Sequence, residues 1–148
     1  MSTPDQTTMM DIDYTQRLKA AQILHERFLE IIKQIKAGKN PTLVLPKRTL
    51  SNTIFDMERG LLLLGPGKIR RRFLDVHEAK KFMQTLLMAK IIYEALVNNE
   101  YPTIRDLYYR GKHSLPRVAQ RDRIINTWDE QKESDSVLCD VEVLTGML

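Results

Sequence analysis

The chain has 148 residues, 43% hydrophobic and 28% charged, enough for one domain with a core or a small domain with an extension. No apolar run approaches the roughly 18 residues of a membrane span, the first residues are too polar for a signal peptide, and Cys139, the only cysteine, excludes an internal disulfide and fits a reducing cytoplasm. The net charge of +4 is uneven: Lys68 to Arg123 holds thirteen Lys and Arg against six acidic residues, whereas Ile124 to Leu148 holds one against six.

Such a basic middle suits a polyanion, which Lys and Arg attract without regard to sequence. An uneven but merely solvated surface gives the same count. Residues 1–12 read as disordered. From Asp13 to Ala37, the positions of Leu18, Ala21, Leu24, Phe28, Ile31, Ile32 and Ile35 make one stripe on a long amphipathic helix. Gly38 is its natural stop. A helix of this length docks on a partner or packs on its own domain.

Between residues 42 and 72 the pattern changes to short β-prone pieces: Thr42 to Leu45, Thr53 to Phe55, Leu61 to Leu64 and Lys68 to Arg72. The last two flank Gly65-Pro66-Gly67, a hairpin signal, and a small β-meander is expected, with Lys68, Arg70, Arg71 and Arg72 on a basic edge. No Gly-Lys-Ser/Thr follows those glycines, so they are not a phosphate loop.

A second helix is predicted from Asp75 to Asn98, with Phe82, Leu86, Ala89, Tyr93 and Leu96 as its core seam. Thr103 then caps a short helix, with Asp106 as the acid of a capping box and Gly111 as its end. Residues 113–127 read as a basic loop. Ser134 is expected to cap a last helix running to Leu148, with Val137, Leu138, Val141 and Leu144 inward. Asp135 and Glu142 share a face of it that Asp140 does not, and all three read as solvated acids rather than metal ligands. Three helices, the second short and capped, suggest a helix-turn-helix core whose third helix would lie in the major groove.

On the short helix, Ile104, Leu107, Tyr108 and Gly111 share one face, whereas Arg105, Tyr109 and Lys112 share another. Tyr108 should face the core and Tyr109 should face outward among cations. A phenol is a poor nucleophile at neutral pH, and neighbouring Arg and Lys favour its phenolate while holding a phosphate. Facing alone leaves open a surface tyrosine stacked on an arginine stem. His25, His77 and His113 fall on separate segments, so no metal site is expected from them.

The stretch Tyr-Pro-Thr-Ile-Arg-Asp-Leu-Tyr-Tyr-Arg at 101–110 resembles the active-site motif of the topoisomerase VI A-subunit family, which includes the meiotic double-strand-break protein of eukaryotes. Gly38 to Thr42, Arg48 to Asp56, and Asp129 to Asp135 with Asp140 to Glu142 and Gly146 resemble further family segments, so the likeness runs over about residues 38–148. It implies a mainly α fold with a small β-meander (α+β) and a winged-helix, catabolite-activator-like DNA-binding domain. The divisions would be 1–37 (disordered tip and long helix), 38–73 (β-meander) and 74–148 (winged-helix-like domain, cut before its wing).

By resemblance, Tyr109 is the nucleophile that becomes linked to a 5′ phosphate of DNA, and Arg105 contacts the scissile phosphate. Asp106 caps the helix and orients an arginine, and Tyr108 packs, with a supporting hydroxyl as its lesser role. Arg110, Lys112, Arg117, Arg121, Arg123, Arg70, Arg71 and Arg72 are the candidates for binding double-stranded DNA. The family's Mg²⁺ ligands lie in a Toprim domain that is absent here, and ATP is used by a B subunit. The implied assembly pairs two A subunits with two B subunits (A2B2), cytoplasmic and nucleoid-associated. This chain, read as a fragment or split subunit, would be inactive alone. The alternative is a non-catalytic helix-turn-helix DNA-binding or interaction fragment.

Overall fold

The computed structural model describes residues 6–115 and 125–146, with side chains from residue 13 onward. Helix α1 spans Gln6–Lys36, followed by strands β1 (Thr42–Pro46), β2 (Thr53–Asp56), β3 (Leu61–Leu64) and β4 (Lys68–Arg72). Helices α2 (Ala79–Val97), α3 (Ile104–Gly111) and α4 (Gln131–Thr145) complete it. The described residues are thus α+β, with four α-helices and small antiparallel sheets. Among the described residues, no helix is long and apolar enough to cross a membrane.

Helix α1 starts earlier than its apolar stripe, so the disorder expected up to residue 12 does not extend to residues 6–12. Once a helix is nucleated, adding polar turns is inexpensive. Its end is a Schellman motif: Gly38 adopts φ +69°, its amide bonds Ile35 O at 3.0 Å, and the Lys39 amide bonds Gln34 O at 2.9 Å. The same device ends α2, where Asn99 takes φ +55° and Glu100 N donates to Ala95 O at 2.8 Å. Of the expected stripe, Ala21, Leu24 and Ile31 are buried, whereas Leu18, Ile32 and Ile35 remain exposed.

The strands are not a meander. Strand β4 pairs with β1, from Thr42 opposite Arg72 to Pro46 opposite Lys68, and β3 pairs with β2, from Thr53 opposite Leu64 to Asp56 opposite Leu61. One hairpin is nested inside the other, and no β3–β4 pair forms across Gly65-Pro66-Gly67. The sharp turn lies instead at 56–60, where Asp56 Oδ1 accepts from the Glu58 and Arg59 amides and Gly60 takes φ +65°. Asn52 explains the glycines: its Nδ2 donates to Lys47 O at 2.8 Å and its Oδ1 accepts from Gly67 N at 2.8 Å. A Cβ at Gly65 or Gly67 would stand 2.7 or 2.6 Å from that Oδ1. These glycines therefore permit close approach to Asn52 rather than a reversal of the chain.

Two apolar clusters meet on α2. Leu24, Met88, Ile91, Leu107, Trp128, Val137 and Val141 form the larger; Ile31, Leu43, Leu45 and Phe82 form the smaller. Leu144 packs against both. Helix α2 buries Gln84, Thr85, Met88, Ile91 and Ala95 beyond its expected seam, because elements cover more than one of its sides. The last helix begins at Gln131, not after Ser134, whose Oγ is buried and donates back to Gln131 O. It closes at Gly146 with φ +69°.

The solvated acids expected on α4 are divided. Glu142 is exposed, but Asp140 is only 4% exposed and receives two arginines. Arg48 Nε donates to its Oδ1 at 2.7 Å and Arg71 Nη2 to its Oδ2. Arg71 Nη1 also donates to Thr85 Oγ1, and Thr85 Oγ1 to Lys81 O. One carboxylate thus ties α4 to β4, to the segment after β1 and, through Arg71, to α2. Removing one partner of a buried pair costs about 3–5 kcal/mol because the other charge stays uncompensated. Asp140→Asn should therefore lower unfolding stability in urea by about 3–5 kcal/mol, whereas Arg48→Ala, on the more exposed arm, should lower it by about 1 kcal/mol or less.

Candidate DNA-cleaving site

Helix α3 is eight residues long, too short to persist without its ends and its packing. The expected capping box is present: Asp106 N donates to Thr103 Oγ1 at 3.2 Å, and Asp106 Oδ2 accepts from Thr103 N at 2.9 Å and from Thr103 Oγ1 at 2.8 Å. These bonds hold the Asp106 carboxyl below the usual carboxylate range, the Thr103 amide contributing most. The carboxylate is spent on the cap and makes no ion pair with Arg105.

Gly111 does not stop the helix by a left-handed turn. It is buried, and a Cβ there would collide with the Trp128 ring. Trp128 is fully buried and donates its Nε1–H to Tyr108 O at 2.9 Å. A small residue at the end of α3 and the chain's one tryptophan thus fix the helix against the core.

The two tyrosines face as the spacing predicts: Tyr108 is 8% exposed and Tyr109 61%. Leu107 and Gly111 are inward with Tyr108, but Ile104, expected on that face, is exposed at the helix start. The Tyr109 ring meets the Tyr108 ring edge-on, with centroids 5.1 Å apart at 72°. Arg105 is exposed and makes no hydrogen bond or ion pair among the described residues. Lys112, on the same face by spacing, is tied to the neighbouring ring of Tyr108: its Nζ donates to Tyr108 Oη at 2.8 Å.

The remaining cations differ in availability. Arg110 bonds Glu100 Oε2 at 2.6 Å on the surface. On β4, strand alternation places Lys68, Arg70 and Arg72 outward and Arg71 inward. Arg71 is therefore not a phosphate-facing candidate: it is buried and both ends of its guanidinium are bonded inside the protein. The Arg72 guanidinium lies 3.8 Å from Glu78. Arg117, Arg121 and Arg123 lie outside the described residues. The described residues that flank them are bonded to each other, Thr127 N donating to His113 O at 2.8 Å and Leu115 N to Ile125 O at 2.7 Å.

Helix α4 is a poor candidate for insertion into a groove. Six of its residues are buried, and its exposed positions include one lysine and one glutamate. The exposed cationic face belongs to α3. Among the described residues, no three His, Cys, Asp or Glu side chains are grouped to hold a metal. Asp140 is already neutralised by two guanidinium groups, and the Asp135 Oδ1 atom is buried without a hydrogen-bond partner. The described residues do not fit Mg²⁺. Sequence reasoning missed Trp128, Asn52 and the Asp140 pair; only the single tryptophan, a residue highly buried on average, carried a signal.

Residues 80–148 match the family model described as type IIB DNA topoisomerase. The chain is 61% identical over 139 residues to the A subunit of type 2 DNA topoisomerase 6 from Hyperthermus butylicus, covering 93% of this chain and 36% of that protein. It is 55% identical to the corresponding protein of Aeropyrum pernix, with the same coverage. Against that of Pyrococcus horikoshii it is 36% identical over 130 residues, 88% of this chain and 33% of that protein. The chain spans about a third of the length of these relatives.

Stability of α3 should follow the Asp106 carboxyl. A group whose folded pKa is depressed contributes fully above its unfolded value and loses that contribution as pH falls through the folded one. After correction for the intrinsic pH dependence of exchange, amide protection at 106–111 should fall across that acidic window in the wild type. Asp106→Asn should exchange faster already at neutral pH and lose the acidic dependence.

Proposed function

Since the chain belongs to the type IIB DNA topoisomerase A-subunit family, matching its N-terminal portion, we propose that it carries the nucleophile of a DNA-cleaving centre, Tyr109. The observation that carries this reading is the division of the tyrosine pair, with Tyr108 clamped in the core and Tyr109 exposed on a cationic helix. In the proposed step, the Tyr109 phenolate oxygen attacks a DNA phosphorus and the bond to the 3′ oxygen breaks. That oxygen leaves as a 3′ hydroxyl after taking a proton, and the 5′ phosphate stays on the tyrosine. The reverse attack by the 3′ hydroxyl reseals the strand. Arg105 is the proposed contact of the scissile phosphate, and its unpaired guanidinium supports that role.

Residues 74–148 are proposed to act as a helix-turn-helix-like DNA-binding unit related to the winged helix. Packing of α2, α3 and α4 around Trp128 supports this, with α3 rather than α4 turned to the duplex. Arg70, Arg72, Arg110, Lys112 and the loop arginines Arg117, Arg121 and Arg123 are proposed to add non-specific attraction. Magnesium is assigned by resemblance to a Toprim segment rather than to residues of this chain. ATP is assigned to a B subunit, and the proposed assembly is A2B2, nucleoid-associated in the cytoplasm. The second reading, a non-catalytic DNA-binding fragment, predicts that the Tyr109 hydroxyl is dispensable.

The test assembles the chain with a Toprim-bearing segment of the same family, an ATPase B subunit, Mg²⁺, ATP and supercoiled DNA. Protein should remain covalently attached to DNA 5′ ends. Tyr109→Phe should abolish that link with DNA binding retained; a variant that traps as much as wild type supports the second reading.

Helix α1 and its following strands are the proposed B-subunit contact. Exposed Leu18 and Ile32 on α1, and Ile54, Phe55, Leu61 and Leu62 on both faces of the inner hairpin, support it. A Phe55→Asp/Leu62→Asp double variant should melt within a few degrees of wild type, since both side chains are exposed, yet fail to co-purify with the B subunit. Undiminished co-purification would move the contact elsewhere.

A further inference from the structure

Tyr108 is more than packing. Its carbonyl accepts from Trp128 Nε1, its hydroxyl donates to Asp129 O at 3.1 Å, and that hydroxyl accepts from Lys112 Nζ at 2.8 Å. With its only hydrogen directed at the Asp129 carbonyl, the phenol can meet Lys112 only as an acceptor. The direction of the bond is therefore fixed, with a neutral phenol and a charged ammonium. The Lys112 ammonium and the Tyr109 ring each lie 5.1 Å from the centre of the Tyr108 ring. Nucleophile and cation share one immobilised neighbour.

We propose that Tyr108 is a positioning residue that holds the Lys112 ammonium beside Tyr109 as a ligand for the phosphodiester under attack. The inference rests on the reading of Tyr109 as the nucleophile. An ammonium has three donors. One is committed to Tyr108, and two remain for the non-bridging oxygens of a phosphate. No carboxylate pairs with Lys112 among the described residues, in contrast to Arg110, which Glu100 already engages. The hydrogen bond from Lys112 to Tyr108 raises the lysine's pKa, so the cation persists through neutral and mildly alkaline pH. A flexible lysine on an exposed helix would otherwise spread its charge over many rotamers; Tyr108 selects one before DNA arrives.

Two measurements test this. With the chain itself and a 20-base-pair duplex of arbitrary sequence, Lys112→Met should reduce the slope of log affinity against log salt by about 0.9, the loss of one phosphate contact. Tyr108→Phe should leave that slope unchanged, because the charge remains. In the assembled cleavage complex, Tyr108→Phe and Lys112→Met should each slow formation of the 5′ covalent link by about tenfold, as expected for a misplaced reacting group. The double variant should be no slower than the slower single one, because both remove the same device. Phenylalanine keeps the ring, and near-ultraviolet circular dichroism of Tyr108→Phe checks that Trp128 stays seated. Wild-type cleavage by Tyr108→Phe, multiplying effects in the double variant, or an unchanged salt slope in Lys112→Met would overturn the proposal. Tyr109→Phe separates the two readings. If it still forms the link, or if the wild-type chain binds no DNA, the nucleophile assignment falls as well. If only Tyr108→Phe is silent, the assignment stands and the positioning role fails.

Discussion

The Asp140 carboxylate is the constraint on which the arrangement of strands and helices depends. The nested hairpins have little core of their own: the inner pair is apolar and exposed on both faces, and an isolated two-stranded ribbon is marginal in water. What fixes the outer pair is Leu43 and Leu45 packed toward Ile31 and Phe82, together with Arg71 reaching Asp140. Apolar contact is tolerant of sliding, whereas a buried carboxylate with two guanidinium partners is not. A shift of β4 by one residue would send Arg71 to solvent and bring Arg70 or Arg72 inward. The ion pair therefore sets register more than it adds net stability, since desolvating both charges offsets much of their attraction.

A comparable logic governs the site. Helix α3 has two turns, and its cap alone could not hold it. Gly111 lets the helix approach Trp128, Trp128 grips the Tyr108 carbonyl, and Tyr108 reaches Asp129 and Lys112. Each link restrains the next, and the last rigid member is the ring against which Tyr109 stands. An exposed side chain is normally free to rotate; here it is mobile only with respect to a neighbour that is not. The nucleophile proposed here would need this combination, access for a bulky polymer and little freedom in where it begins.

Helices were legible in the sequence because a 3.6-residue apolar period is local. The Thr103–Asp106 box and the division of Tyr108 from Tyr109 follow from spacing alone. The strand pairing was not legible. Gly65-Pro66-Gly67 has the composition of a turn, but its glycines answer to Asn52, thirteen and fifteen residues away, and no local pattern encodes that distance. Asp140 escapes a sequence reading for a related reason. Spacing shows that Asp135 and Glu142 share a helix face that Asp140 does not, but the arginines that make its burial tolerable come from 69 and 92 residues away. Long-range polar partners leave no periodic trace.

The same separation decides which arginines are available for the proposed contact with DNA, and residue type is no guide. Arg71 and Arg110 are both hydrogen-bonded to a carboxylate. Around Arg110 and Glu100 the side chains are 44% and 41% exposed, so the pair is screened by water and contributes little, of the order of 0–1 kcal/mol. A phosphate can take Glu100's place with hardly any loss. Around Arg71 and Asp140 the exposures are 10% and 5%, and breaking that pair would strand a carboxylate in the interior. No surface phosphate compensates for that. The basic stretch of the sequence thus divides by solvent exposure into charge that organises the fold and charge that remains exchangeable. Arg105, with no partner among the described residues, and Lys112, bonded to the Tyr108 phenol, belong to the second kind.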